Sequence, residues 1–164
     1  MKTKYGYLLL ITFLLLSACS EKIPNTSLEL FNRAEKHRQA KETELAIKDL
    51  NLLVEHFNTD LMASKSQYVI GDIYMNDLRD FNKAIEAYRK VITNFENAAE
   101  EPHAMFMIGY IYSNILSQYE DAQREYESFL EKYPDHELTP SVNFEMKWMG
   151  KDINEIDELK HITS

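Results

Sequence analysis

Apolar positions along the chain fall into two regimes. Residues 7–16 form an almost unbroken apolar run, and polar residues from Ser20 onward follow it at once. Beyond that point the apolar residues come at spacings of 3 and 4, the period of one face of a helix. Strand-like alternation is absent, and the chain has only four glycines. The pattern predicts an all-α protein.

The periodicity itself repeats. At an ungapped offset of 38, Ile70, Gly71, Ile73, Tyr74, Asn76, Leu78, Ala84 and Tyr88 recur as Ile108, Gly109, Ile111, Tyr112, Asn114, Leu116, Ala122 and Tyr126. A more diverged copy lies upstream, where Ala46, Leu50 and Leu53 match Ala84, Tyr88 and Val91. Its first helix aligns only with a one-residue shift that sets Ala34 opposite Gly71 and Phe31 opposite Tyr68. Downstream, Pro140 falls 38 after Pro102, and Val142, Phe144, Met146, Trp148 and Met149 continue the first-helix pattern before it stops.

Each unit reads as two helices joined by a short turn, residues 75–82 in one copy and 113–120 in the next. Pro102 and Pro140 suit the first turn of a helix, where no amide hydrogen is missed. Pro134 and Gly150 suit helix ends, and the recurring Asn76 and Asn114 are expected to end first helices in the left-handed conformation.

This pattern resembles the tetratricopeptide repeat. Gly71 and Gly109 stand at its small position, Tyr74 and Tyr112 at its first aromatic, Ala84 and Ala122 at its alanine, Tyr88 and Tyr126 at its second aromatic, and Pro134 at its closing proline. The usual period is about 34. Here the period is 38, with one extra residue in the turn within each repeat and the rest between repeats. Glu96 and Asn58 replace the expected proline, and Lys147 replaces the small residue in the last helix. A charged side chain fits a terminal helix that no further repeat covers. The resemblance implies an α-solenoid of about three helical hairpins, residues 26–63, 64–101 and 102–139, with capping helices at 140–164. Ile153, Ile156 and Leu159 would face one more short capping turn.

The N-terminal block adds a location. Lys2 and Lys4 precede an apolar run of about ten residues, half of what a bilayer-spanning helix needs. That is the shape of a secretory signal. Leu16-Ser17-Ala18-Cys19 resembles a bacterial lipobox, which implies a signal peptide over residues 1–18, lipidation of Cys19 and a lipidated tether over residues 19–25. Three acyl chains at about 0.8 kcal/mol per buried CH₂ make such a tether effectively permanent. Ser20, in place of aspartate, implies the outer membrane, with the domain facing the periplasm. Cys19 is the sole cysteine, so no disulfide can staple the fold.

Losing Lys2 and Lys4 takes the net charge from −9 to about −11. Such an acidic excess excludes the nucleic-acid class, which needs clustered Lys and Arg. Catalytic signatures are missing as well. The five histidines are scattered without metal-ligand spacing, and there is no glycine-rich phosphate loop or nucleophile elbow. Neither a metal, a cofactor nor an active site is expected.

Recognition remains. In tetratricopeptide arrays the first helices line a concave groove that takes a peptide or a partner helix. The resemblance places Lys65, Tyr68, Asp72 and Met75 in the groove from the second unit, His103, Phe106 and Tyr110 from the third, and Phe144 and Trp148 from the last helix. Phe31, Tyr68, Phe106 and Phe144 share one slot, which fits either a core stripe or a groove wall. Asp72 suggests that its own slot, shared with Tyr110 and Trp148, sees water, so those two are expected as exposed anchors. The Lys and Asn set that clamps a C-terminal carboxylate in chaperone-binding members is lacking.

Lipobox and repeats together resemble the BamD-like and Tol–Pal-associated envelope lipoproteins. The expected function is a non-catalytic, membrane-anchored adaptor for an envelope protein or peptide partner, in outer-membrane protein assembly or envelope maintenance. The alternatives are an accessory subunit of an envelope enzyme, which turnover would reveal, and a carrier of a small apolar ligand, which native mass spectrometry would retain.

Overall fold

A computed structural model describes residues 24–151. Within them lie seven α-helices and no strand. They are α1 (Ser27–Gln39), α2 (Thr43–His56), α3 (Leu61–Asp72), α4 (Phe81–Asn94), α5 (Glu101–Tyr110), α6 (Tyr119–Lys132) and α7 (Thr139–Trp148). Helices adjacent in sequence pack against one another all along the chain. The result is an α-solenoid of three hairpins, α1–α2, α3–α4 and α5–α6, with α7 against α6. The signal segment, Cys19, and Ile153, Ile156 and Leu159 lie outside the described residues.

Local chemistry starts and stops these helices. Thr26 accepts a hydrogen bond from the Glu29 amide, Asp60 from the Met62 amide and Asp80 from the Lys83 amide, each satisfying an orphan donor of a helix N-terminus. Pro102 and Pro140 sit in the first turns of α5 and α7. Gly150, at φ +75°, follows the end of α7, as the sequence predicts.

The second helices begin at residues 43, 81 and 119, each 38 after the last. They bury equivalent triplets at spacings of 4 and 3: Ala46, Leu50 and Leu53; Ala84, Tyr88 and Val91; Ala122, Tyr126 and Phe129. Each triplet supplies core that the following first helix completes. Ala84, Tyr88 and Val91 pack with Ala104, Ile108 and Ile111 of the next hairpin. A single hairpin could not bury both of its faces, so stacking is part of folding. Polar links fix the stacking register: Ser27 to Asp60 at 2.6 Å, Ser64 to Glu100 at 2.8 Å, Arg38 to Asp77 at 2.8 Å and Arg89 to Glu125 at 2.7 Å.

The one-residue shift of the first repeat has a structural cause. α3 and α5 do not stop at the predicted turns but run on as π-helical turns, Ile73–Asp77 and Ile111–Ile115. The Leu78 amide donates to the Ile73 carbonyl and the Leu116 amide to the Ile111 carbonyl, both at 3.0 Å across five residues. A π turn absorbs one extra residue. α1 carries no such turn, so Ala34 lies 37 before Gly71, whereas Lys41, beyond the insertion point, lies 38 before Arg79.

The same turns correct the reading of Asn76 and Asn114. Both lie within the π turns, and the left-handed residues are instead Lys41, Arg79 and Ser117, at φ 62°, 54° and 55°. Asn114 Nδ2 donates to Glu145 Oε2 at 2.8 Å, tying the third hairpin to α7. The reversal lies three residues past each asparagine, at the position that Lys41 occupies in the first hairpin, which has no π turn.

Candidate protein-interaction site

The residues expected to line a groove lie on α3 with its π turn, on α5 and on α7, and Phe31 of α1 shares their aromatic slot. The aromatic slot is half core and half surface. Phe31, Tyr68 and Phe106 are half-buried, while Phe144 on the terminal helix is 42% exposed. Tyr68 lies 5.2 Å from the ring of Tyr88, and Phe106 lies 6.1 Å from Tyr126, so each leans on the buried tyrosine of its own hairpin. That support fixes the rings while leaving part of each face uncovered. Lys65 is exposed, with Nζ 5.0 Å from the Phe31 ring centroid.

The next slot departs from expectation. Asp72 is not simply water-facing: it is half-buried, and its Oδ1 accepts the Tyr88 hydroxyl at 2.7 Å, with Met75 Sδ 3.9 Å from the same hydroxyl. Burial holds Asp72 above the usual carboxylate range despite the hydrogen bond from Tyr88, and burial raises the Tyr88 hydroxyl as well. Burial also pushes Tyr68 up to about 12.

Tyr110 and Trp148 are likewise not freely exposed anchors. Both are half-buried. Tyr110 packs 6.3 Å from Phe106, and Trp148 lies beneath the ammonium groups of Lys147 and Lys151, 4.5 and 4.8 Å from its ring. Its Nε1 is buried with no hydrogen-bond acceptor among the described residues. Replacing Asp72 by Tyr110 in the third hairpin has a consequence one helix away: the buried Tyr126 hydroxyl, unlike that of Tyr88, has no hydrogen-bond partner among the described residues.

His103 joins the row through ring contacts. It stands edge-on to Tyr68 at 6.5 Å and to His136 at 5.6 Å, and the His136 ring also meets Phe129 and Tyr133. His136 Nδ1 accepts the Leu138 amide at 3.2 Å, which fixes the ring orientation. The sequence showed no link between these histidines, because His103 lies in the first turn of α5 and His136 follows α6, and only the folding of the third hairpin brings them together. The structure therefore brings Tyr68, His103, Phe106 and Tyr110 into a continuous strip. Lys65 and Phe144 are both exposed.

Among the described residues no helix is long and apolar enough to cross a membrane, and no group of three or more His, Cys, Asp or Glu could hold a metal ion. What the strip offers is aromatic area, with the charge of Lys65 nearby. That chemistry suits noncovalent recognition.

Residues 64–97 and residues 103–136 each match the tetratricopeptide repeat family. The two matches fall on the second and third hairpins. No curated protein matches the chain.

Proposed function

We propose that this chain is a membrane-anchored adaptor of the bacterial cell envelope, whose first helices hold a protein partner at the outer membrane. Tetratricopeptide repeats support a scaffold for protein–protein interaction. The observation that carries the reading is the strip of half-covered aromatics, Tyr68, Phe106 and Tyr110, held rigid by a buried tyrosine behind each hairpin. Rigid, partly exposed aromatics present contact area at little entropic cost. The anchor rests on the Leu16-Ser17-Ala18-Cys19 sequence and the apolar run before it. The periplasmic setting, and a role in outer-membrane protein assembly or envelope maintenance, rest on the resemblance to envelope lipoproteins that combine both features.

Photocrosslinking in cells tests the adaptor. A photoreactive residue at Tyr110 or Trp148 is expected to trap a discrete envelope protein, whereas one at the exposed Glu86 of α4 is not. Equal adducts from both surfaces, or none from the first helices, would refute the reading. The anchor is tested separately. Cys19→Ala should leave the protein unprocessed or soluble, and a variant that still fractionates with membranes at mature size removes the lipid tether from the account.

A further inference from the structure

Two cavities at the turn ends of consecutive hairpins share part of their lining at equivalent alignment positions. The first, about 620 Å³, is lined by residues including Arg38, Lys41, Thr43 and Asp77. The second, about 480 Å³, is lined by Met75, Asn76, Arg79, Phe81, Tyr110 and Ile115, among others. An offset of 38 carries Arg38 to Asn76, Lys41 to Arg79, Thr43 to Phe81 and Asp77 to Ile115. The place is repeated; the chemistry is not.

In the first cavity a cation and an acid answer each other, because Arg38 Nε donates to Asp77 Oδ2 at 2.8 Å. In the second, Ile115 stands where the acid was and Phe81 where the hydroxyl was. Phe81 and Ile115 there join Met75 and Tyr110 as an apolar wall, while Asn76 and Asn114 keep the rest of the lining polar and the basic position keeps a guanidinium, Arg79. The acids closest to it in sequence are already engaged: Asp77 with Arg38, and Asp80 with Lys83 at 3.0 Å. No carboxylate among the described residues pairs with Arg79. Tyr110 forms one wall of this cavity and also belongs to the aromatic strip, so the cavity opens beside the surface already described.

We propose that this second cavity is the specificity pocket of the adaptor: it takes a large apolar side chain from an acidic segment of the partner, whose adjacent carboxylate binds Arg79. The proposal rests on the adaptor reading above and adds the chemistry of the partner. A chain of net charge −9 repels acidic segments generally. One uncompensated guanidinium beside the apolar wall of Met75, Phe81, Tyr110 and Ile115 then supplies discrimination as well as attraction, since an acidic segment finds an opposite charge at this place.

Short N-acetylated, C-amidated peptides on an array provide the probe, with Phe-Glu, Phe-Gln, Phe-Lys or Ala-Glu at the centre of an otherwise uncharged sequence. The full chain in detergent micelles is expected to bind Phe-Glu about tenfold better than Phe-Lys, and Ala-Glu weakly. Arg79→Asn, in which asparagine accepts the left-handed backbone at φ 54°, should erase the charge preference and keep the preference for phenylalanine. Arg79→Glu should invert it toward Phe-Lys, with circular dichroism unchanged. Peptide binding whose charge preference survives Arg79→Glu overturns the pocket and leaves the adaptor standing. Absence of binding to every peptide overturns it too, as does self-association that Arg79→Glu abolishes, which would make a second copy the occupant. Loss of the groove-specific crosslinks described above would instead remove the adaptor itself.

Discussion

A methyl group on Gly71 would lie 2.5 Å from Cε1 of Tyr88, and Gly109 stands in the same relation to Tyr126, also at 2.5 Å. Both tyrosines are fully buried against the next hairpin, so neither ring has room to retreat. Alanine would gain about 1 kcal/mol of helix propensity over glycine. Overpacking of a filled core costs about 1–3 kcal/mol. The steric term is the larger: Gly71→Ala and Gly109→Ala should each destabilise by up to about 2 kcal/mol, and Gly71→Leu and Ala84→Leu by several kcal/mol. Denaturant midpoints measure this, and unchanged midpoints would mean that the helices are not in close contact there.

The two tyrosines differ at their hydroxyls. Tyr88 donates to Asp72, whereas Tyr126 has no acceptor among the described residues. Tyr88→Phe strands a half-buried carboxylate and should cost about 1–2 kcal/mol. Tyr126→Phe removes a polar atom that nothing in the described structure satisfies, so stability should stay within about 0.5 kcal/mol of wild type or rise. Equal losses in the two variants, read from the same unfolding curves, would show that Tyr126 has a partner after all.

The turns make a sharper test of conformation. Asn76 lies in right-handed π-helical backbone, so Asn76→Gly should cost about 0.3–0.5 kcal/mol in lost helical preference. Ser117, at φ 55°, carries a strain that glycine lacks. Ser117→Gly should therefore be neutral or stabilising by up to about 1 kcal/mol, the relief being offset in part by glycine's freedom in the unfolded chain. If thermal melts put the two changes in the opposite order, the π turns are wrongly placed.

Much of the fold was legible because it is written as repetition. The triplet Ala84, Tyr88 and Val91 recurs with identical spacing at Ala122, Tyr126 and Phe129, and size and polarity at these sites are set by one packing environment used again. The π turns left only an arithmetic trace, an offset of 37 before them and 38 after. Asparagine's frequency at left-handed sites drew the reading to Asn76, although the reversal lies at Arg79, a residue type with no such preference. Site details were harder to read for a different reason. Whether Asp72 faces water depends on Tyr88, sixteen residues later, and whether Tyr110 is free depends on Phe106 and on the cavity wall it forms. Such pairings are set by three-dimensional neighbours rather than by residue type. Arg79 escaped notice because a lone arginine in a turn looks like solvated charge until the chemistry of two homologous cavities is compared.

Glu101 supplies a test in pH. It is fully buried at the start of α5, with Oε1 2.5 Å from Lys132 Nζ and Oε2 accepting the Asn97 amide at 2.6 Å. Burial alone would raise its pKa, but the bonds from Lys132 and Asn97 outweigh burial and hold it below the ordinary glutamate value. The unfolded chain then takes up a proton at Glu101 before the folded one does, so acid favours unfolding. The contribution is complete above the ordinary value of about 4 and disappears as pH falls through the lower folded value. Glu101→Gln should cost about 1–3 kcal/mol at neutral pH, and the gap from wild type should narrow as the solution is made more acidic. Asp72 has the opposite sign: burial holds its folded pKa high, so its ionisation removes stability as pH rises through the carboxylate range. Asp72→Asn, whose carbonyl can still accept the Tyr88 hydroxyl, should therefore steepen the acid loss while Glu101→Gln flattens it. Urea titrations of both variants across the acid range decide the matter, because a shared direction would contradict the burial of one carboxylate or the pairing of the other.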